Sequence, residues 1–245
     1  MLRCPGQDSR YWKPGDVFEV NCPACGAGVE FFKDEPQLKC RNCGENIVNP
    51  KIDLGCAQWC RYGPQCLSAY GLSRDDVLCH KLIAEVKKLF GDDRKRIEHA
   101  LSVLDFASQI QADQGGDPVV VKAAALLHDI AIVESERKYG SSEGKYQQIE
   151  APAVARKILR GQAVDEEVIE RVCEIIAHHH TGGVDSAEFR CVWDADQLAN
   201  AKERPGRAND KDAGARLDAV LKTRRGKELA REVLGEGKPE DKAGT

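Results

Sequence analysis

Residues 119–133 read VVVKAAALLHDIAIV, and this stretch decides the fold class of most of the chain. Asp117 and Pro118 precede it, and an acceptor side chain followed by proline in the first turn is typical of a helix start. On a helix, the face that carries His128 is otherwise apolar, so the imidazole belongs to a buried stripe. The adjacent Asp129 is costly there unless it is paired or bound to metal. The pair therefore indicates a metal or hydrogen-bonded site.

The sequence on both sides of this stretch, from Ser73 onward, has helical periodicity and lacks strand signals. Ser73 can cap a first helix that stops before Gly91, and two consecutive glycines end the second helix. We predict a polar loop at 134–145 and helices at 73–90, 93–112, 117–133, 149–160, 165–178, 191–202, 212–222 and 226–234. The fold class is therefore expected to be mainly α, a helical bundle.

The segment before this bundle differs in its cysteine content. Nine of the 11 cysteines lie at or before Cys79. Short extended runs there alternate with Pro and Gly turns. So small a segment can hardly form a stable core without bound metal ions or disulfides. We predict a cysteine-rich β zinc-ribbon module at 1–72, a helical domain at 73–237, for which a resemblance given below implies metal dependence, and a polar tail at 238–245.

Composition limits the partners and the compartment. With 42% hydrophobic and 31% charged residues the chain is ordinarily globular, and a net charge of −4 gives no general attraction to nucleic acid or anionic membrane. No apolar run reaches the length of a membrane span, and the first residues lack the order of a signal peptide. We therefore expect a cytoplasmic protein whose cysteines are thiols or metal ligands. Membrane partners are not expected, and nucleic acid is not favoured.

Two matching knuckles, Cys22-Pro-Ala-Cys25-Gly and Cys40-Arg-Asn-Cys43-Gly, predict a zinc ribbon. Each spacing lets a tight turn aim two sulfurs at one point, and the glycine that follows tolerates the bend. Four thiolates suit tetrahedral Zn²⁺ and leave no open position for chemistry. Such a ribbon binds a protein partner or holds its own segment folded, and the balanced charge favours these roles over nucleic-acid binding.

A second cysteine set contains Cys56, Cys60 and Cys66. Three sulfurs need a fourth, and both Cys4 and Cys79 are available; we take Cys4. A second zinc is the first interpretation and an iron–sulfur cluster the second, since the spacings match neither of the common ferredoxin patterns. Ordinary buried thiols are the remaining alternative.

Four short phrases occur in order: IEHALSVLDFA at 97–107, AALLHDIA at 124–131, IIAHHHTGG at 175–183 and WDADQL at 193–198. Over residues 78–203 the chain resembles the HD superfamily of metal-dependent phosphohydrolases. The resemblance implies an HD-type helical bundle whose metal ligands are His99, His128, Asp129 and Asp196. Two imidazoles and two carboxylates suit Mn²⁺, Fe²⁺, Co²⁺ or Ni²⁺. The implied activity is hydrolysis of a small, nucleotide-like phosphoester by attack of metal-bound water.

The three consecutive histidines at 178–180 follow a predicted helix. Neighbouring helical side chains diverge by about 100°, so not all three can reach one ion. We expect His178 or His179 to face the site, as phosphate ligand, second-metal ligand or proton donor. The lysines of the predicted loop, Lys138 and Lys145, are candidate phosphate contacts.

The chain departs from two-metal members of the superfamily, which carry a further histidine between the His-Asp step and this histidine cluster. No histidine lies between His128 and His178, and Gln147, Gln148 and Glu150 occupy that neighbourhood. The number of ions is therefore open, with Glu150 as an alternative ligand.

Two other functions remain open at this level. The first is an HD-fold di-iron oxygenase, which needs more histidine ligands than the sequence clearly offers. The second is a non-catalytic regulatory module that senses a nucleotide and contacts a protein through the ribbon.

Overall fold

The computed structural model describes residues 10, 12–33, 35, 37–49, 67, 73–203 and 213–234. The chain divides into two compact units, with the boundary between Val77 and Leu78. The fold is mainly α with a small β region near the N-terminus, which confirms the predicted fold class. The predicted tail at 238–245 lies outside the described residues, and the predicted domain limits stay predictions.

The N-terminal unit contains two antiparallel β-hairpins, each turning at one CxxCG knuckle. The buried side chains of Phe31 and Ile47 pack with two of the cysteines in a small apolar cluster. Within the described residues of this unit the cluster is small, as expected of a segment in which a bound metal ion would add stability. The strands are β1 (Val17–Asn21), β2 (Gly28–Phe32), β3 (Gln37–Lys39) and β4 (Asn46–Val48).

The described helices form one continuous apolar core. None of them is both long and apolar enough to cross a membrane. They are α1 (Arg74–Phe90), α2 (Arg94–Gln114), α3 (Pro118–Leu127), α4 (Ile132–Tyr139), α5 (Gly144–Gly161), α6 (Glu166–His178), α7 (Ala187–Lys202), α8 (Ala213–Val220) and α9 (Arg224–Leu234).

Helix α3 lies at the centre of the bundle. Seven of its ten residues are buried, and it contacts α2, α6 and α7. A helix that is apolar on nearly all sides must be enclosed by others, as its sequence indicates. Helices α2 and α7 also pack extensively on each other. The C-terminal end of α3 therefore meets α2 and α7, the helices that carry His99 and Asp196.

The predicted third helix is wrong beyond Leu127. The chain turns there, with Ile130 N–H donating to Leu127 O at 3.1 Å and Ile132 N–H to Asp129 O at 3.1 Å, and α4 then begins. His128 and Asp129 stand just past the helix end, and His128 keeps helical backbone angles, with φ of −57° and ψ of −41°.

The predicted polar loop at 134–145 is also wrong, because α4 covers its first half and α5 begins at Gly144. Salt bridges from Glu134 to Arg137 and Lys138 link the turns of α4. Gly140, with φ of 67°, ends the helix in the left-handed conformation. Because α4 is short and polar, its composition is similar to that of a loop.

A buried carboxylate attaches the C-terminal helices to α7. Asp194 is fully buried and accepts hydrogen bonds from the backbone N–H groups of Lys222 and Thr223, both at 2.8 Å, and from the Thr223 hydroxyl at 2.7 Å. These donors stand at the start of α9, where a negative charge is favourable. Both oxygens of the Asp194 carboxylate therefore accept hydrogen bonds that hold the C-terminal helices on α7, although Asp194 lies only two residues from Asp196.

Candidate metal centre

Four side chains from three parts of the helical unit converge at the end of α3. The Nε2 atoms of His99 and His128 lie 3.3 Å apart, and Asp196 Oδ1 lies 3.2 Å from the first and 3.7 Å from the second. Asp129 Oδ2 lies 3.5 Å from His128 Nε2 and 4.0 Å from His99 Nε2. The structure thus brings together all four ligands implied by the resemblance.

The Nδ1 atom of each of these two imidazoles has a hydrogen-bond acceptor. His128 Nδ1 donates to the carbonyl oxygen of Ala125 at 2.8 Å, and His99 Nδ1 lies 2.6 Å from Glu203 Oε1. Acceptors at Nδ1 fix the tautomer, so each Nε2 lone pair points into the cluster. Two lone pairs 3.3 Å apart repel each other unless a cation or a proton lies between them, so this donor set fits a divalent ion.

The charges within the cluster stabilise one another. Burial opposes the charge on His99, but hydrogen bonds with Asp196 and Glu203 raise its pKa to about 9, so a proton and a divalent ion compete for the lone pair of its Nε2. Burial would raise the pKa of Asp129, but the neighbouring imidazoles, His128 first, hold it below its usual range. Asp196 is buried, and its pKa is also held below the usual range against burial, first by its hydrogen bond with His99, while Asp129 is half-buried. Two ionised carboxylates provide the negative charge that offsets a cation.

A second group lies on the other side of Asp129. Its Oδ1 atom is 3.6 Å from His179 Nε2, and one ligand atom each of Asp129, His179 and His180 lies within 4.8 Å of the others. His179 Nδ1 donates to Ile176 O at 2.6 Å, so Nε2 carries the lone pair. That buried Nε2 has no hydrogen-bond partner in the described part of the chain. A cation bound between His179 Nε2 and Asp129 Oδ1 would satisfy this nitrogen.

The histidine triplet reaches the site differently from the prediction. Helix α6 ends at His178, whose side chain is exposed and belongs to neither group. His179 and His180 lie in the turn that follows, where His178 O accepts from Gly182 N–H at 2.8 Å. One ligand atom of each of these two neighbours lies within 4.8 Å of an Asp129 carboxylate oxygen, so both face Asp129. The sequence analysis missed His180.

The first group opens into a cleft of about 650 Å³. Two cations, Lys95 and Arg96, also line this cleft. The sequence analysis did not identify them, although they stand four and three residues before His99, respectively, and hence on the same helix face. Arg96 pairs with Glu136 at 2.6 Å. Among the described residues, Lys95 has no salt-bridge partner, so its charge is available to a ligand. The lining also includes Gln147, His180, Gln197, Asn200 and Glu203.

The two lysines proposed as phosphate contacts lie elsewhere. Lys138 Nζ is 2.6 Å from Glu150 Oε2, and Lys145 Nζ is 2.8 Å from Glu143 Oε2. Neither lines the cleft. Glu150 accepts from Lys138 and from the Tyr139 hydroxyl at 2.8 Å, so this carboxylate is committed to α4 and is not one of the clustered ligand atoms.

The four ribbon cysteines form a separate cluster in the N-terminal unit. The Sγ atoms of Cys22 and Cys43 are 3.6 Å apart, as are those of Cys25 and Cys40, and all four lie within 4.8 Å of one another. Tetrahedral zinc with bonds of about 2.3 Å requires sulfur–sulfur edges of about 3.8 Å. These sulfurs can therefore hold one metal ion.

The knuckle backbones explain this convergence. Cys22 O accepts from Gly26 N–H, and Cys40 O accepts from Gly44 N–H, both at 2.8 Å. Gly26 and Gly44 have φ of 74° and 79°, a conformation that favours glycine. The predicted second set, Cys4, Cys56, Cys60 and Cys66, lies outside the described residues.

Residues 96–201 match the family model of the HD domain. The helical unit contains an HD domain. The matched range includes His99, the His128–Asp129 step and Asp196, so the clustered side chains lie within the matched range. Glu203, which holds His99, lies just beyond it.

Several known proteins are similar to this chain. A Ribonuclease Y from Nitratiruptor sp. is 30% identical over 177 residues, or 72% of this chain, but the aligned part spans only 28% of that protein. A predicted HD superfamily hydrolase from an uncultured Thermotogales bacterium has 23% identity, 65% coverage of this chain and 85% of its own, and a TM-score of 0.47. An HD-superfamily hydrolase from Bacillus thuringiensis has 20% identity, 66% and 91% coverage, and a TM-score of 0.49.

Proposed function

We propose that the HD domain is a divalent-metal-dependent phosphohydrolase that acts on a small, nucleotide-like phosphoester. The observation that carries this proposal is the convergence of two imidazole nitrogens and two carboxylates beside an open cleft. The ligands of the ion are His99, His128, Asp129 and Asp196, a mixed set that suits Mn²⁺, Fe²⁺, Co²⁺ or Ni²⁺. When bound, such an ion acidifies water and stabilises negative charge on phosphate oxygen.

The other residues of the cleft have supporting roles. Glu203 orients His99 through the 2.6 Å hydrogen bond at Nδ1. Lys95 lines the cleft without a salt-bridge partner among the described residues and can hold a phosphate oxygen, whereas Arg96, Lys138 and Lys145 are each paired with a glutamate. Of the two histidines proposed for phosphate contact or proton donation, the buried His179 is the better placed.

The cleft suits a small substrate. Its volume of about 650 Å³ lies within the usual range for ligand pockets, about 300–1,000 Å³. The amide side chains of Gln197 and Asn200 also line it and offer hydrogen bonds to hydroxyl groups or a base. The similarity to a Ribonuclease Y makes an oligoribonucleotide the alternative substrate to include in any screen.

The proposal extends to the ribbon and to the compartment. We propose one zinc ion on Cys22, Cys25, Cys40 and Cys43, where it holds the hairpins folded and leaves their surface free for a protein partner. A cytoplasmic location suits this free-thiol chemistry.

The test is phosphate release by the full chain, purified without oxygen and loaded in turn with Mn²⁺, Fe²⁺, Co²⁺ or Ni²⁺. We expect release from a nucleotide-like phosphoester with at least one ion and none after chelation. Oxygen consumption without phosphate release would instead support the oxygenase. Nucleotide binding without turnover, with every ion, would support the regulatory module.

A further inference from the structure

The last turns of α7 carry polar side chains that contact the clustered ligands. Asn200 Nδ2 donates to Asp196 Oδ1 at 2.7 Å and to the backbone oxygen of Asp196 at 3.0 Å. We propose that Asn200 is a positioning residue, which holds Asp196 so that Oδ1 binds the ion and Oδ2 stays free for water or substrate in the cleft. The proposal deepens the proposed function, and it rests on that function only for the claim that the ion is catalytic.

The amide of Asn200 is fixed by these two contacts. Asn200 follows Asp196 by four residues, so the two side chains are neighbours on one face of α7. Both acceptors are oxygens, so the amide nitrogen must lie on this side, and both of its N–H groups are used. The contact with the backbone anchors the amide to the helix, and the contact with Oδ1 passes this constraint to the carboxylate.

The oxygen that Asn200 holds is the one that faces the other ligands. Asp196 Oδ1 lies 3.2 Å from His99 Nε2 and 3.7 Å from His128 Nε2. A carboxylate oxygen accepts along two lone-pair directions. The amide occupies one direction, and the other is left for an ion between the imidazoles.

The second oxygen of this carboxylate is in a different situation. In the described part of the chain Asp196 Oδ2 accepts no hydrogen bond, although the side chain lines the cleft. Rotation of the carboxylate would let both oxygens bind one ion and would fill a position that water or a phosphate oxygen needs, since a catalytic metal site keeps an open position. Asn200 opposes this rotation, because it would break the 2.7 Å hydrogen bond.

The experiment is a Co²⁺ titration of the full chain with the ribbon zinc in place, followed by visible absorption, since the Co²⁺ bands report the coordination of the ion. Asn200→Ala removes the donor and should not weaken α7, because alanine is the better helix former. It should raise the Kd for Co²⁺ about tenfold, shift the absorption bands and lower kcat about tenfold, as loss of an outer-shell partner typically does.

Gln109→Ala is the matched control. Gln109 Nε2 donates to Asp105 Oδ2 at 3.1 Å, also across four residues of one helix, but neither side chain lines the cleft. This variant should keep the Kd, the bands and the kcat of wild type. If Asn200 contacted only the substrate, Asn200→Ala would raise KM and leave the Kd and the bands unchanged, which would overturn the proposal.

Asn200→Asp covers the case in which Asn200→Ala does not fold. It keeps the size and shape of the side chain but replaces the donor by a second carboxylate, which repels Asp196 Oδ1. The Co²⁺ bands should again shift and kcat should fall, whereas a role in packing alone predicts wild-type bands. Wild-type bands in this variant would overturn the proposal.

These outcomes separate the positioning role from the proposed function. A higher Kd and shifted bands in Asn200→Ala, with no phosphate release by wild type, would retain the positioning role and reject the phosphohydrolase. Phosphate release by wild type and by Asn200→Ala at equal rates, with equal bands, would retain the phosphohydrolase and reject the positioning role.

Discussion

Replacing Glu203 by alanine should weaken the ion held by His99 without unfolding the helical unit. Glu203 Oε1 lies 2.6 Å from His99 Nδ1, and the Glu203 side chain is 30% exposed. The corresponding partner of His128 is a backbone carbonyl, which no substitution removes. Glu203 is therefore the place where the orientation of a ligand can be changed by mutation alone.

The size of the effect follows from this contact. A hydrogen bond to a charged group is worth about 1.5–3 kcal/mol, and outer-shell partners of metal ligands are typically worth about 10–100-fold in affinity. Because Glu203 is partly exposed, water can replace some of the interaction. We therefore expect the Kd for Mn²⁺ or Co²⁺ to rise about tenfold, which corresponds to about 1.4 kcal/mol.

Isothermal titration with Mn²⁺ measures this change. Glu98→Ala is the matched control, since Glu98 adjoins His99 on α2 but its side chain is exposed. Glu203→Gln keeps an acceptor oxygen and should lie between wild type and alanine. A Kd for Glu203→Ala within twofold of the Glu98→Ala value would refute the orienting role.

Three further predictions concern other parts of the chain. Lys95→Gln should raise KM for the phosphoester about tenfold with kcat little changed, because it removes a charge-assisted hydrogen bond to the substrate. The control Lys157→Gln changes an exposed lysine and should leave KM unchanged. Steady-state kinetics measures both variants. Cys25→Ser should remove the ribbon zinc and make the first fifty residues protease-sensitive while the helical unit keeps its metal; unchanged zinc content would reject the ribbon assignment. Gly226→Ala should lower the free energy of unfolding by about 1–3 kcal/mol through overpacking against Asp194, with metal affinity retained; chemical denaturation measures it.

The helices could be predicted from the sequence because their signals are local, whereas the first ligand set was implied by the resemblance to the HD superfamily. Pro118 after Asp117 marks a helix start, and the structure has α3 begin there with Asp117 as its cap. The apolar stripe around His128 indicated a buried imidazole, and it is 1% exposed. The two hairpins followed from the CxxCG spacing, because glycine is needed where the chain turns back.

The sequence failed where a helix end changes the direction of a side chain. His180 seemed unavailable because three consecutive helical residues diverge, but α6 stops at His178 and the turn brings its two successors to one side. The cleft cations were missed for a related reason. Lys138 and Lys145 looked free in a presumed loop, yet each is paired with a glutamate once α4 and α5 form. The pair between Lys138 and Glu150 depends on the contact between α4 and α5, which no local pattern contains, whereas Lys145 pairs with Glu143 only two residues away.

Metal analysis of Asp129→Ala tests most directly whether the catalytic ion binds to the cluster of His99, His128, Asp129 and Asp196. Both carboxylate oxygens of Asp129 face histidine nitrogens, so the variant should lose every ion beyond the ribbon zinc and all metal-dependent phosphate release. Circular dichroism should show the helices intact, and Asp185→Ala, with a side chain that is 85% exposed, should match wild type. Full metal occupancy in Asp129→Ala would contradict the ligand assignment, whatever activity remained.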